Sequence, residues 1–163
     1  MKELLVIRHA KSSWANIGQN DFDRALNERG IKDAPEMAHR VKKRGVDIDL
    51  FLSSPAQRAL TTATFFAKEF HQKESDIQQV PSLYNAPPAA FYAALEKIDP
   101  SIKTAAIFAH NPGITEFIQE LETAEIDNMP TCGVFGIRLH TKDWSKIRSC
   151  KKEFWFFDSP KLG

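Results

Sequence analysis

Two cysteines in 163 residues, Cys132 and Cys150, make no disulfide framework and no metal-ligand spacing. No apolar run approaches the ~18 residues of a membrane span. The N-terminal one, Leu4 to Ile7, stops at Arg8 and is too short for a signal peptide. Nor is there an excess of charge of one sign: 22 basic residues face 21 acidic ones, for a formal net charge of +1. A nucleic-acid binder carries a broad basic surplus, so neither nucleic acid nor a membrane is expected as partner. A cytoplasmic protein is the simplest expectation. Internal repeats, low-complexity tracts and linker-like breaks are missing too. Residues 1–163 therefore read as one domain, with 42% hydrophobic and 26% charged residues in the globular range.

What is there is an alternation of short apolar runs and helical patterns. Leu4 to Ile7, Ile48 to Leu52 and Thr104 to Ala109 read as buried strands. Ile31, Ala34, Met37, Ala38 and Val41 follow a helical period from an Asn27 cap towards Gly45, with Pro35 predicting a kink or a late start. Ser54-Pro55 predicts the cap and first residue of a second helix, and Asn111-Pro112 repeats the signal for a helix through Leu121. A short strand near Gln78 to Val80, a helix over Pro88 to Lys97, and strands over Val134 to Leu139 and Glu153 to Phe157 complete the pattern. The aromatic run Phe154 to Phe157 reads as a buried strand, and an interface if one face stays exposed. Strands alternating with helices imply an α/β fold: a three-layer α/β/α sandwich around a mainly parallel sheet.

Three of the predicted strands end in unusual residues. The first runs into Arg8-His9, the second into Ser53-Ser54-Pro55 with Arg58 one turn on, and the third into His110-Asn111-Pro112. Ligands of open parallel sheets bind beyond the carboxyl ends of the strands. If these strands are neighbours, two arginines, two imidazoles and two helix N-termini share one crevice, which describes a phosphate pocket. Arg58 adds a hint of its own: a cation in a helix's first turn opposes the dipole unless an anion sits there. His39, His71 and His140 lie away from the strand ends and are expected in surface or partly buried structural roles.

These residues resemble the histidine phosphatase (phosphoglycerate mutase-like) superfamily. Arg8-His9-Ala10 is similar to its Arg-His-Gly motif, and Leu26-Asn27-Glu28-Arg29-Gly30 to its leucine-to-glycine helix start. Ser53-Ser54-Pro55 with Arg58, Ala59, Thr61 and Thr62 is similar to its second signature, and His110 to its second catalytic histidine. The short chain and the stretch Arg8-His9-Ala10-Lys11-Ser12-Ser13-Trp14 resemble the SixA-type phosphohistidine phosphatases more closely. The resemblance implies a phosphoglycerate mutase-like fold and a metal-independent, cofactor-free hydrolase. In it His9 is phosphorylated while Arg8, Arg58 and His110 bind the transferring group. It also implies that Arg24 is a further substrate-binding residue, the alternative being an exposed loop arginine paired with Asp21 or Asp23.

Two positions depart from the family pattern. Ala10 replaces glycine, so the backbone there is expected in an ordinary region. Mutase-type members carry Leu-x-Glu with a general acid, where this chain has Leu83-Tyr84-Asn85. Asn85 lines the substrate but cannot give a proton, which favours a phosphohistidine over an alcohol phosphate, unless Asp21 or Asp23 supplies the proton. The expected partner is thus a phosphorylated protein, or else a small phosphorylated substrate. The alternatives are a phosphomonoesterase for a small phosphometabolite and a phospho-ligand binding module without turnover. Cys132 to Arg138 also has the Cys-x5-Arg spacing of cysteine-dependent phosphatases. The intervening alternation of Val134, Phe135 and Ile137 reads instead as a strand carrying a buried cysteine.

Overall fold

The computed structural model describes residues 1–14, 18 and 20–162. Six strands, β1 (Lys2–Arg8), β2 (Leu50–Ser53), β3 (Gln78–Gln79), β4 (Thr104–Ala109), β5 (Val134–His140) and β6 (Lys151–Asp158), form one sheet in the order β3-β2-β4-β1-β5-β6. The first four are mutually parallel, β5 is antiparallel to β1, and β6 is antiparallel to β5. The helices are α1 (Glu28–Lys43), α2 (Gln57–Glu69), α3 (Pro88–Glu96) and α4 (Gly113–Leu121).

The period of two along the buried strands divides the core into two halves. Leu4 and Val6 of β1, with Ala105, Ile107 and Ala109 of β4, pack with Phe91, Phe117 and Ile118 of α3 and α4. Leu5 and Ile7, with Ala106 and Phe108, pack on the other face with Met37, Ala38 and Phe66 of α1 and α2. The result is the expected α/β/α sandwich. The sequence expectation of adjacent strands is met, because β4 lies between β1 and β2.

Several local expectations are corrected. The first helix starts at Glu28, with the Asn27 side chain accepting from the Gly30 amide, and runs through Pro35 without a late start. Ile31 is 52% exposed, and the buried stripe consists of Gly30, Asp33, Ala34, Met37, Ala38 and Val41. The second helix starts at Gln57 rather than at Pro55, because Ser54 is engaged elsewhere. Pro112 is the cap of α4, not its first residue. Cys132 lies outside β5, in a buried turn with φ 59°. The aromatic run lies in β6, an edge strand and not a buried one, with Phe156 inside and Phe154 42% exposed. Among the described residues, no helix is long and apolar enough to cross a membrane.

Candidate active site

The carboxyl ends of β1, β2 and β4 bring His9, Ser54 and His110 together. The backbone of β1 is pinned just where it ends. The His9 amide donates to the Ala109 carbonyl, the Ala10 amide to Thr62 Oγ1, and the Cys132 amide to the carbonyls of Arg8 and His9. Thr62 Oγ1 in turn donates to the Arg58 carbonyl, tying α2 to the same point.

His9 Nδ1 lies 2.7 Å from the Ala10 carbonyl. A carbonyl only accepts, so Nδ1 carries the proton and Nε2 keeps its lone pair. Burial, reinforced by the charges of His110, Arg58 and Arg8, lowers the His9 pKa to about 3, and the ring is neutral. The His110 ring sits 5.1 Å away, centroid to centroid, with Nε2 2.8 Å from Ser54 Oγ. Burial, then the charge of Arg58, lowers His110 to about 4. In the free pocket both imidazoles are therefore neutral, and a charged His110 needs a bound anion beside it.

The guanidinium of Arg58 is 6% exposed and, among the described residues, gripped by Asp21, donating to its main-chain carbonyl at 2.6 Å and to Oδ2 at 2.9 Å. The anion that the first turn of α2 called for is thus a carboxylate of the chain itself. Asp21 also accepts from Tyr84 Oη at 2.7 Å and from Arg24 Nε at 3.0 Å. Burial pushes this carboxyl up, but the bonds from Tyr84, Arg58 and Arg24 overcome it and hold it at about 2. Arg24 is buried, not an exposed loop residue; it donates to Ser12 Oγ and lies 3.5 Å from the ring centre of Trp14. Its pairing with Asp21 was one of the two roles open to it.

Arg8 donates to the Met129 carbonyl, and burial, then the charge of Arg58, lowers its pKa. Asn85 occupies a left-handed turn, φ 55°, and lines a cavity of about 270 Å³ with His110, Asn111, Pro112 and Glu116. Gly113 makes that placement possible, since a Cβ there would lie 1.8 Å from the Ala86 carbonyl oxygen.

Arg8 Nε, Arg58 Nε and His110 Nδ1 are buried and find no hydrogen-bond partner among the described residues. Unsatisfied buried polar atoms are rare and costly in native proteins, and three on neighbouring residues, two of them guanidinium N–H donors, mark a place built for a polar ligand. No His, Cys, Asp or Glu side chains gather in a metal-ligating group of three among the described residues.

The model of the histidine phosphatase superfamily (branch 1) matches residues 4–85, half of the chain, including Arg8, His9, Arg24 and Arg58. The chain belongs to that superfamily. This places it among phosphatases and mutases. A structure of the protein named phosphohistidine phosphatase SixA in Agrobacterium tumefaciens superposes with a TM-score of 0.81, 25% identity and 98% of each chain covered. A SixA structure with bound tungstate shares the fold at a TM-score of 0.82 and 20% identity, again over 98% of each chain. An uncharacterised chloroplast protein of Arabidopsis thaliana is 28% identical over 153 residues, 89% of this chain and 70% of that one. The phosphoglycerate mutase of Staphylococcus aureus is 32% identical over 75 residues, which span 45% of this chain and a third of the mutase.

Sequence reasoning missed Tyr84 as a partner of the pocket and took Ser54 for a helix cap. Tyr84 lies 63 residues from Asp21, and no local pattern announces such a bond. Ser54 and Thr62 fell inside the second signature, which was the available signal.

Proposed function

We propose that this histidine phosphatase hydrolyses phosphohistidine on a protein, passing the phosphoryl group through Nε2 of His9. The observation that carries the reading is a neutral His9, its Nδ1 proton fixed by a carbonyl, beside three unpartnered polar atoms: the Nε–H donors of Arg8 and Arg58, and Nδ1 of His110. In the first step the N–P bond of the substrate breaks as Nε2–P forms, and the departing imidazole takes its proton from solvent. In the second, water adds its oxygen to phosphorus, Nε2–P breaks, and inorganic phosphate leaves. Arg8, Arg58 and His110 neutralise the charge on the equatorial oxygens, and little beyond positioning and such stabilisation is needed. Arg24 and Asn85 border the pocket as substrate contacts.

The leaving group argues for phosphohistidine. Asn85 has no proton to give, and Asp21, held at about 2, is ionised at neutral pH. An alcohol would have to depart unprotonated, whereas imidazole is a far better leaving group. The test is incubation with a protein carrying radiolabelled phosphohistidine, followed by a rapid quench. Label on the enzyme that is lost in acid, survives base and is absent in His9→Ala supports the reading. So does faster phosphate release than from a small phosphomonoester. Undiminished turnover by His9→Ala, or a stable complex that releases no phosphate, overturns it.

A further inference from the structure

Beyond Arg8, on the β5 side of the same sheet end, lies a second concavity of about 260 Å³. Lys11, Arg29 and Lys161 line it together with Arg8, which it shares with the catalytic pocket. Among the described residues the one acid in its wall is Asp33, which already pairs with Arg29 at 3.4 Å. Lys11 and Lys161 are exposed, and their ammonium groups have no ion-pair or hydrogen-bond partner among the described residues. A chain with a net charge of only +1 has no general surplus to spread here, so this concentration of cations is local. Thr131 and Ser159, in the same wall, add two residues with hydroxyl side chains. The position is set by the fold. Gly30 at the start of α1 brings the helix against the Lys11 backbone, where a Cβ would lie 2.2 Å from the Lys11 carbonyl oxygen. Pairing of Val134 with Asp158 brings the end of β6, and Lys161 after it, to the same rim.

We infer that this basic groove docks acidic side chains that flank the phosphohistidine of a protein substrate, an inference that rests on the phosphohistidine reading above. Carboxylates satisfy the free cations without competing for the inner polar atoms of Arg58 and His110. The shared Arg8 wall makes one surface reach both the phosphoryl group and its neighbours. Such rim charges act chiefly on encounter, so the effect belongs in kcat/KM and in its salt dependence.

The test compares three substrates: a phosphohistidine peptide flanked by Asp and Glu, the same peptide with Asn and Gln, and free phosphohistidine. The acidic peptide is expected to show a kcat/KM about tenfold above the neutral one at low salt, falling with ionic strength. Lys11→Gln/Lys161→Gln should remove that advantage and leave turnover of free phosphohistidine unchanged. Equal kcat/KM for the two peptides, or an equal loss on all three substrates in the variant, overturns the docking role. So does a loss in the variant confined to a small bisphosphate, assayed as a fourth substrate, which would make the groove a second phosphate site. No release from any phosphohistidine substrate overturns the underlying reading, and this inference with it.

Discussion

Acidification should unfold this protein through its two pocket histidines, and by an amount that the site allows one to work out. His9 and His110 are 6% and 8% exposed, so water screens neither. Their folded pKa values, about 3 and about 4, lie below the 6.5 of a free imidazole. Above pH 6.5 the rings are neutral in both states and cost nothing. Below it the unfolded chain binds protons that the folded pocket refuses until about pH 4 for His110 and about pH 3 for His9. The unfolded state then holds more protons, and stability falls as pH falls. At pH 5, about 1.5 pH units below 6.5, each ring should cost about 2 kcal/mol, and the pair on the order of 4 kcal/mol. Asp21, with a folded pKa of about 2, remains ionised over this range and does not offset the loss. Urea unfolding at pH 7.5 and pH 5, without phosphate, measures the difference directly. His9→Asn and His110→Asn should each remove about half of it. A wild-type stability that is flat over that interval, or a loss that both variants retain in full, would refute the buried-neutral assignment.

Three further outcomes follow from single contacts. Asp21→Asn should lower stability at pH 7 by roughly 1 kcal/mol, a figure reduced because the carboxylate is 43% exposed. Since the folded pKa of Asp21 is depressed, its contribution is present above about pH 4 and lost as pH falls towards 2, so the two unfolding curves should converge there. Gly113→Ala should destabilise by about 3 kcal/mol in thermal or urea unfolding, because the Ala86 carbonyl is backbone and cannot rotate away. Cys132→Ser should keep kcat/KM within about twofold: burial raises its thiol pKa and keeps it protonated, and its bonds to Arg8 and His9 are made by its backbone amide. Loss of turnover in folded Cys132→Ser would restore the cysteine-phosphatase alternative.

The parts of the fold that were legible in the sequence are those where one local signal acts alone. The run Thr104 to Ala109 is buried on both faces, and its bounds as a strand were read without error. Asn27 caps α1 as its side chain predicts. The expectation failed where a side chain serves two masters. Ser54 has the chemistry of a cap, but its hydroxyl meets His110 and accepts from the Ala56 amide, which defers the helix to Gln57. The alternation after Cys132 is genuine, yet the turn that precedes β5 takes Cys132 out of it. The convergence of Arg8, His9, Arg58 and His110 was readable because each ends a strand or follows one closely. Of the web of Asp21, Tyr84, Arg24 and Trp14, the Arg24–Asp21 pair was offered as an alternative, but Tyr84 and Trp14 were not read, because no local pattern ties them to it.

The way the end of β1 is tied down governs how this molecule should fail. His9 directly follows a central strand, and its flanking amides are locked to β4, to α2 and to the turn at Cys132. No partial opening can release the nucleophile while the sheet survives. Under heat or denaturant, loss of activity and loss of the whole fold should therefore be one event. Amide exchange at Arg8 to Ala10 should be as slow as in the deepest part of the sheet.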